Sequence, residues 1–261
     1  MKRALCTPLF IASVFAFSVA VAGGETYIVG KMKLSVSAKL APKRLPRDAP
    51  APVAVSIGWT ITSTDPATKP STLKTVKIEI NRGGLLDSKG LAVCPYGKIQ
   101  PASTTRALSN CRSSLVGQGS FSALVGLEGQ EHYVSVGKML VFNGKQGGKS
   151  VLYGQIYTNY PFAASFVIVF KIDRRKEGTY GTALTASLPG NLRAWGNLTE
   201  VQMRLSRRYG FEGHRRSFLS GSCPTPKGVG LASFPLARTS FSFTGGKNVK
   251  STLIETCKVR H

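Results

Sequence analysis

Acidic residues and histidine are scarce in this chain of 261 residues. Twelve Asp and Glu stand against 35 Lys and Arg, for a formal net charge of +23, and there are three histidines. The acids are scattered, so their spacing identifies no carboxylate pair of the glycosidase type. No G-x-S-x-G nucleophile elbow occurs, and His132, His214 and His261 lie in no recognisable nucleophile–base context. The sequence therefore identifies no catalytic residues, and a secreted hydrolase acting on wall polysaccharide or ester remains the alternative function.

Cysteines are also few, and they lack the close C-x₂₋₄-C spacing that zinc sites normally show. We therefore expect no metal and no cofactor. Cys94, Cys111, Cys223 and Cys257 lie beyond the N-terminal segment. An even number of cysteines in an exported chain predicts two disulfides. Three pairings are possible, and proximity in sequence favours Cys94–Cys111 with Cys223–Cys257.

The start of the chain has the three parts of a secretory signal. Lys2 and Arg3 precede a mostly apolar stretch without charge at 4–19, and Ala20-Val21-Ala22 forms a small-x-small cleavage site. We predict that residues 1–22 are a cleavable signal peptide. An uncleaved membrane anchor is the alternative, although the clear cleavage site argues against it. The expected location is secreted, extracellular or associated with the cell envelope, with no transmembrane segment after cleavage.

The excess of positive charge is spread along the chain. Residues 1–22 hold two of the cations and no acid, so the remainder carries 33 Lys and Arg against 12 Asp and Glu, or +21. A surface this basic attracts polyanions. We expect the partners to be anionic cell-envelope polymers or surfaces rather than a specific nucleic acid. The alternative is that the charge only keeps the protein soluble.

The densest basic stretch runs over 204–216 and mixes arginines with aromatic rings. Arginine pairs planar anions in a bidentate manner, and aromatic rings supply stacking. This composition predicts an anion-binding surface, and a solvated cationic hairpin tip is the alternative. The candidate residues are Arg204, Arg207, Arg208, Tyr209, Phe211, Arg215 and Arg216.

The pattern of apolar residues predicts a mostly β protein. Short alternating segments separated by Gly-, Pro- and Asn-rich turns favour an antiparallel β-sandwich or barrel-like domain with one short helix at 104–111. We divide the chain after the signal into a flexible N-terminus at 23–52, which contains a first strand and a Pro-rich linker, and a β-sandwich-like domain at 53–261. The predicted strands are 34–40, 53–62, 73–80, 115–127, 131–142, 149–159, 163–173 and 179–188, with further strand segments around 201–205, 218–219, 229–234 and 241–243.

The glycine-rich segment 141–150 partly matches a phosphate-binding loop. Asn143 occupies the position where the motif requires its first glycine, and the residues after Ser150 have a β pattern instead of opening a helix. We therefore interpret the segment as a hairpin turn between two strands.

Several segments from about residue 73 onward carry a resemblance to a known group of proteins. They are Gly90-Leu91-Ala92-Val93-Cys94, Ala107 with Cys111, Leu115-Val116-Gly117-Gln118-Gly119, Leu140-Val141-Phe142-Asn143-Gly144, Gly178-Thr179-Tyr180-Gly181 and Ser217-Phe218-Leu219-Ser220-Gly221-Ser222-Cys223-Pro224. In these segments, over roughly two thirds of its length, the chain resembles a group of uncharacterised exported β-rich proteins of actinobacteria. The resemblance implies export, a β fold and the two-disulfide scheme, and it implies no catalytic residues. We therefore expect an exported, strongly basic, non-enzymatic protein of the cell surface or extracellular space.

Overall fold

The computed structural model describes residues 24–126, 131–160 and 162–260. The predicted signal peptide at 1–22 and His261 lie outside the described residues.

Strands make up most of the described chain. They are β1 (Gly24–Val29), β2 (Met32–Ala41), β3 (Arg44–Leu45), β4 (Ala51–Pro52), β5 (Ala54–Ser63), β6 (Leu73–Asn81), β7 (Gly84–Leu86), β8 (Leu115–Val125), β9 (Tyr133–Gln146), β10 (Lys149–Thr158), β11 (Ala164–Arg174), β12 (Tyr180–Ser187), β13 (Gly196–Leu205), β14 (Arg208–Phe211), β15 (His214–Ser217), β16 (Leu219–Gly221), β17 (Leu231–Phe243) and β18 (Asn248–Val259). The helices are α1 (Thr104–Cys111) and α2 (Gly190–Trp195), with short 3₁₀ turns at Tyr96–Lys98, Arg112–Ser114 and Thr244–Gly246.

One curled sheet of thirteen strands forms the body of the molecule. Its order is β1-β2-β5-β13-β8-β9-β10-β11-β12-β6-β17-β18-β3, and every pairing is antiparallel except that of β18 with β3. The curl brings distant strands face to face. For example, the rings of Trp59 on β5 and Phe241 on β17 meet edge to face, with their centroids 5.7 Å apart. The prediction of a mostly β, barrel-like domain with a short helix at 104–111 is confirmed.

The two ends of the curled sheet meet through side chains. β18 lies beside β1 and β2. Ser251 on β18 donates to the carboxylate of Glu25 on β1 at 2.7 Å, and Lys43 pairs with the buried Glu255 of β18. These polar contacts form a seam where the ladder of backbone hydrogen bonds stops.

Alternation along the strands produces two cores. On β9, for example, Met139 and Val141 face the interior of the curl and belong to the main core. Leu140 and Phe142 point outward into a smaller core, which α1 and the loops beside it cover. This cover is tied down by the Cys94–Cys111 disulfide. A second disulfide, Cys223–Cys257, links β18 to the chain after β16, so the favoured pairing is confirmed.

The N-terminal residues after the predicted signal peptide are paired with the rest of the sheet. β1 pairs with β2 along its whole length. β2 in turn pairs with β5 in the same sheet, so strands from the two sides of the predicted boundary at residue 52 are neighbours. The proline-rich stretch is held by its backbone: Cys223 donates to the carbonyl of Pro46 at 2.9 Å, and Leu45 is buried. Four prolines prevent a long strand here, but they leave carbonyl groups free to accept these bonds.

The interpretation of residues 141–150 as a hairpin agrees with the structure. β9 and β10 pair from Lys149↔Gln146 onward. The two turn residues, Gly147 and Gly148, have φ of 55° and 74°, which is the left-handed conformation that two-residue hairpin turns favour. No helix follows, as the strand pattern after Ser150 predicted.

Candidate basic site

The basic stretch folds mainly into the hairpin β14–β15, which we call the basic hairpin (residues 207–217). Arg208 pairs with Ser217 and Tyr209 pairs with Arg216 across it. Glu212 and Gly213 form the tip with φ of 50° and 74°. Opposite residues of an antiparallel pair share a face, so the hairpin has two faces with different surroundings.

The inner face of the basic hairpin docks on the loop that follows β7. The hydroxyl of Tyr209 donates to the carbonyl of Lys89 at 2.9 Å, and Arg216 forms an ion pair of 2.9 Å with Asp87. Phe211 packs against Gly90, and the guanidinium of Arg216 lies 5.5 Å from the centre of its ring. Burial, followed by the nearby charge of Asp87, raises the pKa of Tyr209, so the phenol keeps the proton that it donates.

The predicted anion-binding residues are therefore divided between two roles. Tyr209, Phe211 and Arg216 hold the hairpin on the loop and are engaged within the protein. Arg207 is half-buried at the base of the hairpin, where its carbonyl accepts from the backbone of Phe218. The exposed cations are Arg204 on β13 with Arg208 and Arg215 on the hairpin.

The same loop forms one wall of a cleft of about 440 Å³. Four polar side chains are among those that line this cleft. Lys89 comes from the loop, Lys145 and Ser150 come from the β9–β10 hairpin, and Arg174 comes from the end of β11. We call this the basic cleft. Lys89, Lys145 and Arg174 are all exposed, and they come from three separate segments of the chain. The sequence showed these cations only as isolated residues.

The basic cleft contains a single acid among its described lining residues. That acid is Asp87, whose Oδ2 is already occupied by Arg216 and whose Oδ1 accepts from the backbone of Lys89 at 2.9 Å. The charge of Asp87 is therefore compensated from the hairpin side. Lys89, Lys145 and Arg174 form no ion pair with any described acid, so the cleft carries an uncompensated positive charge.

A second charged cluster lies on the outer face of the sheet around Glu79 of β6. Glu79 is buried, and its carboxylate lies 2.7 Å from Arg238, 2.8 Å from Arg175 and 3.1 Å from Lys77. The hydrogen bond from Arg238, aided by Lys77, lowers the pKa of Glu79 to about 2 against the opposing effect of burial. Three cations on one carboxylate leave a local excess of positive charge. Spacing in the sequence gave no sign of this cluster, because its members lie on two strands, β6 and β17, and in the turn after β11.

The histidines assemble no catalytic group within the described chain. His214 is exposed on β15. His132 shares a shallow groove with Asp65, but Asp65 is fully engaged: one oxygen accepts from the backbone of Ala67, and the other accepts from Lys31 and Thr68. The bond from Lys31 lowers the pKa of Asp65, which keeps it ionised. Asp65 is thus a turn residue and is not arranged to orient an imidazole.

Comparison with protein-family models, curated proteins and solved structures finds no match to the chain. Among the described residues, no helix is both long and apolar enough to cross a membrane, and no cluster of three His, Cys, Asp or Glu residues is arranged to hold a metal ion.

Proposed function

We propose that this protein is exported and acts without catalysis, by binding anionic polymers of the cell envelope at the basic hairpin and the basic cleft. The observation that carries the proposal is the uncompensated charge of the cleft. Lys89, Lys145 and Arg174 converge on it, while Asp87 is neutralised by Arg216.

The hairpin extends the positive surface on the other side of the loop at residues 87–90. Arg208 and Arg215 are diagonal neighbours on the outer face of the hairpin, at a separation of roughly 7–8 Å between backbones. A polymer long enough to reach from the basic cleft to the outer face of the basic hairpin would meet exposed cations at both. Many weak ionic contacts suit a ligand whose charge repeats along its length.

Export is supported by the covalent chemistry of the chain as well as by its N-terminal sequence. Cys94–Cys111 and Cys223–Cys257 are the two bridges of the described chain. Structural disulfides persist in oxidising compartments outside the cytoplasm. The polymers that a protein meets there include anionic wall polymers, which are the partners we propose.

Binding to purified teichoic acid tests this function with the protein from residue 23 onward. Arg208→Glu with Arg215→Glu changes the hairpin, and Lys89→Glu with Lys145→Glu changes the cleft. Lys33→Glu with Lys39→Glu is the matched control, because it reverses two exposed lysines on β2 that belong to neither the basic hairpin nor the basic cleft. We expect each site variant to weaken binding at least tenfold and the control to weaken it less than twofold.

Salt gives the second readout. Exposed charges are screened beyond a Debye length of about 8 Å at physiological ionic strength, so retention of the unchanged protein should fall steeply as salt rises. Equal losses in the control and the site variants would show generic attraction to a basic protein and would contradict the proposal. Retention unaffected by either site variant would also contradict it.

A further inference from the structure

The outer face of the sheet carries a row of lysines that runs across five neighbouring strands. Lys171 on β11 is opposite Thr185 on β12, which is opposite Lys77 on β6. Lys77 is opposite Ser240 on β17, which is opposite Lys250 on β18. The row therefore alternates a cation with a hydroxyl from one strand to the next.

The spacing in this lysine row follows from the geometry of the sheet. Adjacent strands lie about 4.8 Å apart, so lysines on alternate strands are roughly 10 Å apart and the row spans roughly 19 Å. Like charges directly opposite each other destabilise a sheet. Thr185 and Ser240 separate the lysines, so that no two of them are directly opposite. Each hydroxyl group lies between two consecutive lysines of the row.

The lysine row is positive because the acids near it are outnumbered. Lys171 and Lys250 are exposed, and the side chain of Lys77 is 33% exposed. Glu79, on the adjacent row, is shared by Lys77, Arg175 and Arg238. This part of the sheet therefore has two acids, Glu79 and the exposed Asp173, and a formal excess of three positive charges. The five cations are Lys77, Lys171, Lys250, Arg175 and Arg238.

We propose that the lysine row binds one linear ligand, an acidic polysaccharide that carries a carboxylate on every second sugar. An extended sugar residue is about as long as one strand spacing, so anionic sugars on such a chain recur at the interval of the lysines. The neutral sugars between them then face Thr185 and Ser240, whose hydroxyl groups donate to and accept from sugar hydroxyls. A polymer with one charge on every unit would place half of its anions opposite these hydroxyls.

The lysine row shares no residue with the basic hairpin or the basic cleft. Substitutions in one surface therefore leave the residues of the other unchanged, so the variants of each surface serve as controls for the other.

Hyaluronan oligosaccharides long enough to cross five strands are the probe, since they carry one carboxylate per disaccharide. Lys171→Glu with Lys250→Glu reverses the two ends of the row and leaves Lys77 on Glu79. Lys33→Glu with Lys39→Glu is the matched control for total charge. We expect the row variant to raise the Kd at least tenfold by calorimetry, and we expect the control and the hairpin variant Arg208→Glu with Arg215→Glu to change it less than twofold.

A second variant tests the hydroxyls without changing charge. Thr185→Val with Ser240→Ala should raise the Kd for hyaluronan at least threefold and leave the Kd for polyphosphate unchanged, because polyphosphate offers charge without neutral sugars. Equal weakening of both polymers would show that the face is generically basic, and tighter binding of polyphosphate than hyaluronan to the unchanged row would overturn the proposed spacing. Unaltered hyaluronan binding by the row variant would overturn the site itself. Circular dichroism and thermal melting confirm that each variant is folded.

Discussion

The ring of Phe211 occupies the space beside Gly90 where a side chain would stand, since a Cβ at residue 90 would lie 2.0 Å from the nearest ring carbon. This contact, with the bond from Tyr209 to the carbonyl of Lys89, holds the basic hairpin against the loop that lines the basic cleft. The two basic surfaces are therefore positioned by one joint.

Gly90→Ala should disrupt this joint. The new Cβ overlaps the near side of the ring, and the backbone at Gly90 has φ of 76°, a left-handed conformation that costs an alanine about 1–2 kcal/mol. We expect a lower melting temperature and faster proteolysis within residues 207–217.

Two further alanine substitutions separate strain from overlap. Gly147→Ala has a similar φ of 55° with no atom near the new Cβ, and Gly97→Ala has open space without a positive φ. Gly147→Ala should lower the free energy of unfolding by the backbone strain alone. Gly97→Ala should leave the free energy of unfolding almost unchanged. If Gly90→Ala is no more destabilising than Gly147→Ala, the hairpin is not held by Phe211.

Glu79→Gln should remove a pH dependence of stability. The pKa of Glu79 falls from its usual 4.5 to about 2 on folding, so the ionised group stabilises the fold above pH 4.5. That stabilisation is lost as the pH falls from 4.5 to 2. Since the surrounding cations are partly exposed, we expect a contribution of about 2 kcal/mol. Urea unfolding at several pH values should show a difference between the two proteins that shrinks over this range.

Asp173→Asn is the control for this experiment, because it removes one exposed acid from the same face. Its effect on the free energy of unfolding should stay small at every pH. A difference between Glu79→Gln and the unchanged protein that is constant with pH would mean that Glu79 acts by packing rather than by its charge.

The two disulfides should contribute unequally to stability. Cys223–Cys257 closes a separation of 34 residues and Cys94–Cys111 one of 17. Removing either pair as alanines should lower the free energy of unfolding by about 2–5 kcal/mol, and the longer loop should contribute about 0.6 kcal/mol more. Denaturant titration measures both losses. Peptide mapping without reduction should recover these two links, and a Cys94–Cys223 peptide would contradict the pairing.

Processing gives a prediction that needs no variant. Ala20-Val21-Ala22 follows an uncharged apolar stretch, as cleavage by a signal peptidase requires. Mass spectrometry of the secreted protein should find an N-terminus at Gly23 or within a few residues of it. Recovery of the full-length chain alone, from membranes, would favour the uncleaved anchor instead.

The strand pattern of the sequence predicted most of the sheet but missed β1, β3 and the last strand, β18. On β18, Val249, Leu253 and Cys257 face inward together with the polar Ser251 and Glu255. These two residues are buried because they meet Glu25 and Lys43 at the seam. Local alternation cannot show such partners, so the sequence predicted no strand at 248–259. The helix α2 was missed for a similar reason, since its six residues are too few to display a period.

The sequence predicted which residues of the hairpin are basic and aromatic, but not which of them contact the rest of the protein. The sequence marked the stretch 204–216 as basic and aromatic, yet it offered Tyr209 and Phe211 as ligand contacts. Their actual partners, Lys89 and Gly90, lie far away in sequence and carry no recognisable motif. The basic cleft was hidden altogether, because its cations come from three segments that only the fold brings together.

The position of β6 has a consequence for how the chain folds. Its two neighbours in the sheet, β12 and β17, both come from the later part of the chain. Pairing between segments so far apart gives a high contact order, which in β proteins is associated with folding times of milliseconds to seconds. Until residue 243 is available, β6 lacks one edge partner and the main core lacks Phe241 and Phe243. The main core can therefore be completed only after the C-terminal part of the chain is present, and such late folding is compatible with the export that we propose.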